Sequence, residues 1–178
     1  CQGQGALWFV RGESGIGKSR LMRELRVQAL VSGMTVLQNE AMFDGSGSPY
    51  QMWRNVLPSL LLLVEIDDET AGILQVLVQN ISELLGRPIQ AAASLDDEAG
   101  QQRLLQAIVS LFQKQTRPIL LVLEDLQWAG NDLPVLQALY HHISSLPLLI
   151  VGTYRIDEVS NLHEAVSYTH LRAHETNS

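Results

Sequence analysis

The sequence predicts an α/β fold in which a parallel sheet carries helices on both faces. Three observations point there. Short apolar runs of strand length alternate with helical patterns along the 178 residues. Those runs are apolar throughout, as strands covered on both sides must be. The first of them leads through a glycine-rich turn directly into a helix.

Taken in order, residues 6–10 (ALWFV) form a short β-rich run that ends in a turn at Gly12. Over 18–31, Leu21, Leu25, Ala29 and Leu30 recur at helical spacing, and Gly33 supplies the stop. Residues 34–37 read as a second strand, and DGSGSPY at 44–50 as a loop by its Gly, Ser and Pro content. Helices are expected over 53–64, 71–85 and 98–114, the last with an acidic, cap-like start in SLDDE. A third strand spans 119–123, a helix 133–145 and a fourth strand 148–153. No internal repeat or low-complexity linker divides the chain, and its length suits one domain.

Composition excludes several classes. A net charge of -7 lacks the basic footprint of a nucleic-acid binder, so no direct nucleic-acid contact is expected. One cysteine, Cys1, rules out internal disulfides and multi-cysteine metal sites and fits a reducing, cytoplasmic setting. The longest apolar stretch, around 60–64, is far too short for a membrane span.

The two ends read differently from the middle. The chain starts at Cys1 without an initiator Met, as a cut chain does. From 166 the text VSYTHLRAHETNS has no apolar periodicity, and over 166–176 it resembles one reading frame of a transposase adaptor used for sequencing libraries. The expected division is therefore a partial domain at 1–165 and a non-native tail at 166–178, so His170 and His174 are not read as ligands.

Chemistry concentrates in RGESGIGKSRL. Gly12, Gly17, Lys18 and Ser19 occupy every fixed position of the phosphate-binding P-loop pattern, between a strand and a helix as the pattern requires. A tight turn of similar composition is the alternative, and four fixed positions in that context disfavour it. Gly12, Glu13, Ser14, Gly15, Ile16, Gly17, Lys18, Ser19 and Arg20 are the expected nucleotide-binding residues. Backbone amides at a helix N-terminus face the phosphates, Lys18 adds a point charge, and the Ser19 hydroxyl is placed to ligate Mg²⁺.

A second feature is the buried strand of PILLVLEDLQW, which ends in Glu124 and Asp125. At the carboxyl edge of a parallel sheet these acids face the crevice that holds the phosphates. One is expected to hold Mg²⁺ and the other to polarise the attacking water, with a helix-capping pair as the alternative. Acids at both positions argue against a small-molecule kinase, in which the substrate brings the nucleophile. LLIVGTYR repeats the arrangement, with Thr153 and Arg155 at the strand end. Arg155 either senses the γ-phosphate and its water or stands as a solvated strand-end arginine.

GESGIGKSRL, LVLEDLQWAG and LIVGTYRIDEV, in that order over roughly 3–164, together resemble the ATPase domain of STAND proteins, signal-transduction relatives of the AAA+ ATPases. The likeness extends to the module in large LuxR-type regulators and in adenylate cyclase or Ser/Thr kinase fusions. It implies an additional-strand P-loop NTPase sheet, with the sensor strand between the other two motif strands and the chain ending before a fifth strand. It also implies that Gly12 to Ser19 are Walker A, that Glu124 and Asp125 are Walker B, with Asp125 on the water side, and that Arg155 is the sensor arginine. Tyr50 and Trp53 fall on aromatic positions after the second strand, and Trp128 on one after Walker B, the tryptophans reading as structural. Two positions depart from the family: Glu124 and Gly130 stand where Asp is usual.

Function follows from the resemblance as an expectation: an ATP- and Mg²⁺-dependent switch domain with an output domain elsewhere in the same protein, with homo-oligomerisation left open. The chain alone is expected to be nearly inactive. The rivals are an AAA+ ATPase of the replication-initiator kind and a non-hydrolysing nucleotide-dependent scaffold.

Overall fold

Why the apolar runs lie side by side is seen in a computed structural model that describes residues 4–42, 49–92 and 95–155. The elements run β1 (Ala6–Arg11), α1 (Lys18–Val31), β2 (Thr35–Glu40), α2 (Gln51–Leu61), α3 (Asp68–Leu74), α4 (Ile81–Leu85), α5 (Glu98–Gln113), β3 (Ile119–Glu124), α6 (Leu133–His141) and β4 (Leu148–Tyr154). Short 3₁₀ turns at Leu126–Trp128 and Gly130–Asp132 join β3 to α6, and another at Ile143–Ser145 precedes β4.

All strand pairs are parallel, in the order β1-β4-β3-β2. The last of the described strands thus lies between the glycine-turn strand and the acid strand, as expected for the additional-strand type. Alternation along β3 explains its unbroken apolar text. Ile119, Leu121 and Leu123 join the large core formed with α2 to α6, while Leu120 and Val122 join Met22, Ala29 and Val151 in a smaller core under α1. β1 and β2 are the sheet edges among the described residues.

Several boundaries move. β2 continues to Glu40, because it stays in register with β3 up to the pair Glu40 and Glu124. The helix expected over 71–85 is two helices, α3 and α4. The amides of Leu77 and Val78 both bond back to the Leu74 carbonyl, which closes α3 into a turn. Leu74, Leu77, Val78 and Ile81 are all buried, so the apolar spacing persists across a break that it cannot reveal. α6 likewise ends at His141 rather than at 145. Asp97 caps α5 by accepting from the Gly100 amide at 2.7 Å, which accounts for the acidic start.

Most of the predicted loop at 44–50 and the whole tail at 166–178 lie outside the described residues. No helix among the described residues is long and apolar enough to cross a membrane.

Candidate nucleotide site at the carboxyl edge of the sheet

The turn between β1 and α1 is built by glycines with two different tasks. Gly15 and Gly17 have φ of 82° and 106°, in the left-handed region that side chains disfavour. Gly12 does not; a Cβ there would lie 2.8 Å from Cγ2 of Ile16, so this position needs room rather than an unusual φ. Gly17 is the N-cap of α1, no side chain caps that helix, and its first turn carries no acid. Its leading amides are thus left to an external acceptor, and the helix dipole favours an anion there.

Lys18 closes the turn. Its Nζ donates to the carbonyls of Gly12 and Glu13, each at 2.8 Å. An ammonium has three donors, so one more acceptor, such as a phosphate oxygen, can be served from the same place. Glu13, Ser14, Gly15, Ile16, Gly17, Ser19 and Arg20 are all exposed along this rim, while Lys18 is half-buried and Gly12 buried.

The acids stand two strands away, across β4. With neighbouring strands about 4.8 Å apart, the gap is roughly 10 Å, enough for phosphates and a hydrated cation. Glu124 is the last residue of β3. Asp125 follows with φ 55°, a conformation that Asp tolerates better than most residues. Its amide donates to the Thr153 hydroxyl on β4 at 3.2 Å, and its Oδ1 lies 4.0 Å from Nε of Arg155. Arg155 therefore reaches the acid pair instead of standing apart at its strand end.

Three contributors were not singled out by sequence. Gln127, in the turn after β3, donates from Nε2 to Asp125 Oδ1 and accepts at Oε1 from the Arg155 amide, both at 3.2 Å. Glu40 closes β2 opposite Glu124. Burial, and then the Asp125 and Glu124 charges together with a hydrogen bond to Asp125, push the Glu40 carboxyl above its usual range. Asp132 is buried, accepts from the Met52 amide at 3.1 Å, and takes the Trp53 indole N–H on its carbonyl at 3.0 Å. One signal was available for Glu40: in a parallel sheet the last residue of every strand meets the same edge.

The aromatic positions separate. Trp53 is fully buried, as expected of a structural residue. Trp128 is 40% exposed and is not part of the core. Tyr50 precedes α2 with φ 61° and packs against the core.

Backbone donors and a cation on one side, and carboxylates with a hydroxyl on the other, are groups of the kinds that phosphates and hard cations take. Among the described residues no group of three or more His, Cys, Asp or Glu could hold a metal by itself.

The family model for the AAA ATPase domain matches residues 1–151. The chain belongs to that family. It is also 27% identical over 187 residues to an uncharacterised protein of Rhizobium meliloti (strain 1021), an alignment covering 95% of this chain and 18% of that protein. The chain thus spans under a fifth of the length of that relative. Similar solved structures include Drosophila ORC bound to DNA, at TM-score 0.45 and 15% identity, covering 92% of this chain and 72% of that one. Another is Drosophila ORC bound to AT-rich DNA and Cdc6, at TM-score 0.44 and 12% identity, covering 92% and 43%.

Proposed function

We propose that this AAA ATPase domain is the ATP-binding and hydrolysing switch of a larger bacterial signalling or transcription regulator of the STAND class. The observation that carries the proposal is the convergence at one sheet edge of an uncapped helix with left-handed glycines, a lysine, two carboxylates and an arginine that contacts one of them. The bacterial relative, more than five times as long as the aligned region, supports a multidomain setting.

In this reading the amides from Ser14 to Ser19 and the Lys18 ammonium hold the phosphates, while Ser19 and Glu124 hold Mg²⁺. When bound, the ion neutralises charge on the phosphate oxygens. Asp125 orients a water and takes up its proton, and Arg155, beside the same carboxylate, meets the charge that develops as the terminal phosphate departs. The interaction between Asp125 and Arg155 spans β3 and β4, so a change at the terminal phosphate is passed to two strands of the sheet. Such an element can be biased by the nucleotide and read by other domains.

The test is steady-state ATP turnover by the full-length protein carrying Asp125→Asn or Glu124→Gln. Both keep side-chain size and lose charge, so each should keep nucleotide binding and slow turnover by roughly a hundredfold. Asp125→Asn should leave the Mg²⁺ requirement unchanged, and Glu124→Gln should raise it. The opposite assignment of effects would exchange the two roles, and normal turnover in both variants would remove the acids from the chemistry.

A further inference from the structure

Gln127 ties Asp125 to Arg155, and its chemistry suits that position. It lies in the 3₁₀ turn Leu126–Trp128, directly after the left-handed Asp125. Its amide spans the ends of two adjacent strands: Nε2 donates to Asp125 Oδ1 at 3.2 Å, and Oε1 accepts from the Arg155 backbone amide at 3.2 Å. The orientation of the amide is imposed by its partners, since an ionised carboxylate only accepts and a backbone N–H only donates. The same Oδ1 lies 4.0 Å from the Arg155 guanidinium. One carboxylate oxygen is thus shared between the Gln127 amide and the arginine, and the base of that arginine is held by the other end of the same amide.

We propose that Gln127 is a positioning residue for hydrolysis: its amide fixes the rotation of the Asp125 carboxylate and the starting point of the Arg155 side chain together. The backbone link from the Asp125 amide to Thr153 joins the two strands but leaves the carboxylate free to rotate about its side-chain bonds. Together with the Glu40 hydrogen bond to the same carboxylate, Gln127 restricts that rotation. A residue with donors only, or acceptors only, could satisfy one partner and not the other. Glu, the nearest shape, would set a second negative charge against Asp125. The inference rests on the reading of Asp125 and Arg155 as hydrolytic residues, and it adds the group that aligns them.

The experiment uses the full-length protein with Gln127→Met, which keeps the length and removes both hydrogen bonds, and with Gln127→Glu, which keeps only the acceptor. Turnover, the KM for ATP, the affinity for a fluorescent ATP analogue and the thermal midpoint are measured for each, with Lys18→Ala alongside. Loss of a hydrogen bond to a charged group predicts that kcat falls roughly tenfold to a hundredfold in both Gln127 variants, with analogue affinity and KM unchanged. Wild-type kcat in Gln127→Met overturns the inference. So does a loss of affinity and thermal midpoint in both variants that matches the loss of kcat, since Gln127 would then only support the fold. If Lys18→Ala binds the analogue as well as the wild type, the nucleotide reading itself falls. If Lys18→Ala weakens binding while the Gln127 variants turn over normally, only this inference falls.

Discussion

Asp132 sets the N-terminus of α2 against the turn that follows the acid strand, and it does so while buried. Burial raises its pKa from 3.8 to about 6, against hydrogen bonds from the Met52 and Trp53 backbone amides and the Arg54 charge, which act in the other direction. The folded chain therefore holds this proton more tightly than the unfolded chain does. The resulting stabilisation is complete below the unfolded value of 3.8 and is lost as pH rises through about 6. Asp132→Asn keeps the oxygen that accepts from Met52 and cannot ionise. Its thermal midpoint should gain on that of the wild type as pH is raised from about 4 to 7, the window set by this shift. A constant difference across that range would mean that Asp132 does not titrate in the fold. At this scale Lys18, Ser19, Glu124 and Asp125 were candidates from the sequence because their motifs are contiguous in it. Gln127, Glu40 and Asp132 were not, because each acquires its partner from another strand or helix, tens of residues away except where Gln127 meets Asp125.

Gly152 shows how tightly the strands that carry the site are packed. It sits in β4 between Phe9 on β1 and Leu123 on β3. A Cβ there would run into the Leu126 side chain and come within 3.0 Å of two Phe9 ring atoms. Leu126 directly follows Asp125, so pressure at this point is transmitted to the acid. Gly152→Ala should cost about 1 to 3 kcal/mol, the usual range for overpacking a filled core. Urea denaturation measures it, and an unchanged midpoint would show that the sheet yields here without strain. β1, β3 and β4 were legible as short apolar runs, while β2 was legible only in its apolar first half, since it continues through Gln38, Asn39 and Glu40. The break between α3 and α4 was not, because Leu74, Leu77, Val78 and Ile81 satisfy helical spacing while the backbone turns between them. Periodicity reports which side chains are buried, and a chain that turns within the core buries the same ones.

For the whole molecule, strand order follows from chain connectivity more than from any one residue. The central place of β4 between β1 and β3 was expected from the resemblance to STAND ATPases, and the parallel register then brings Arg155, just after β4, beside Asp125, just after β3. Among the described residues the sheet is covered unequally, by α1 on one face and by the larger core with α2 to α6 on the other. Trp8 on the edge strand β1 is 52% exposed. Every step proposed for this edge requires the β1–α1 turn to hold a nucleoside triphosphate, and a fluorescent ATP analogue titrated with Mg²⁺ into the full-length protein and its Lys18→Ala variant tests that binding. Lys18 is the cation that the turn folds around. A charge-assisted contact is worth about 1.5 to 3 kcal/mol, so the variant should bind roughly ten- to a hundredfold more weakly. Equal affinity in the two proteins would contradict the assignment of this edge as a nucleotide site.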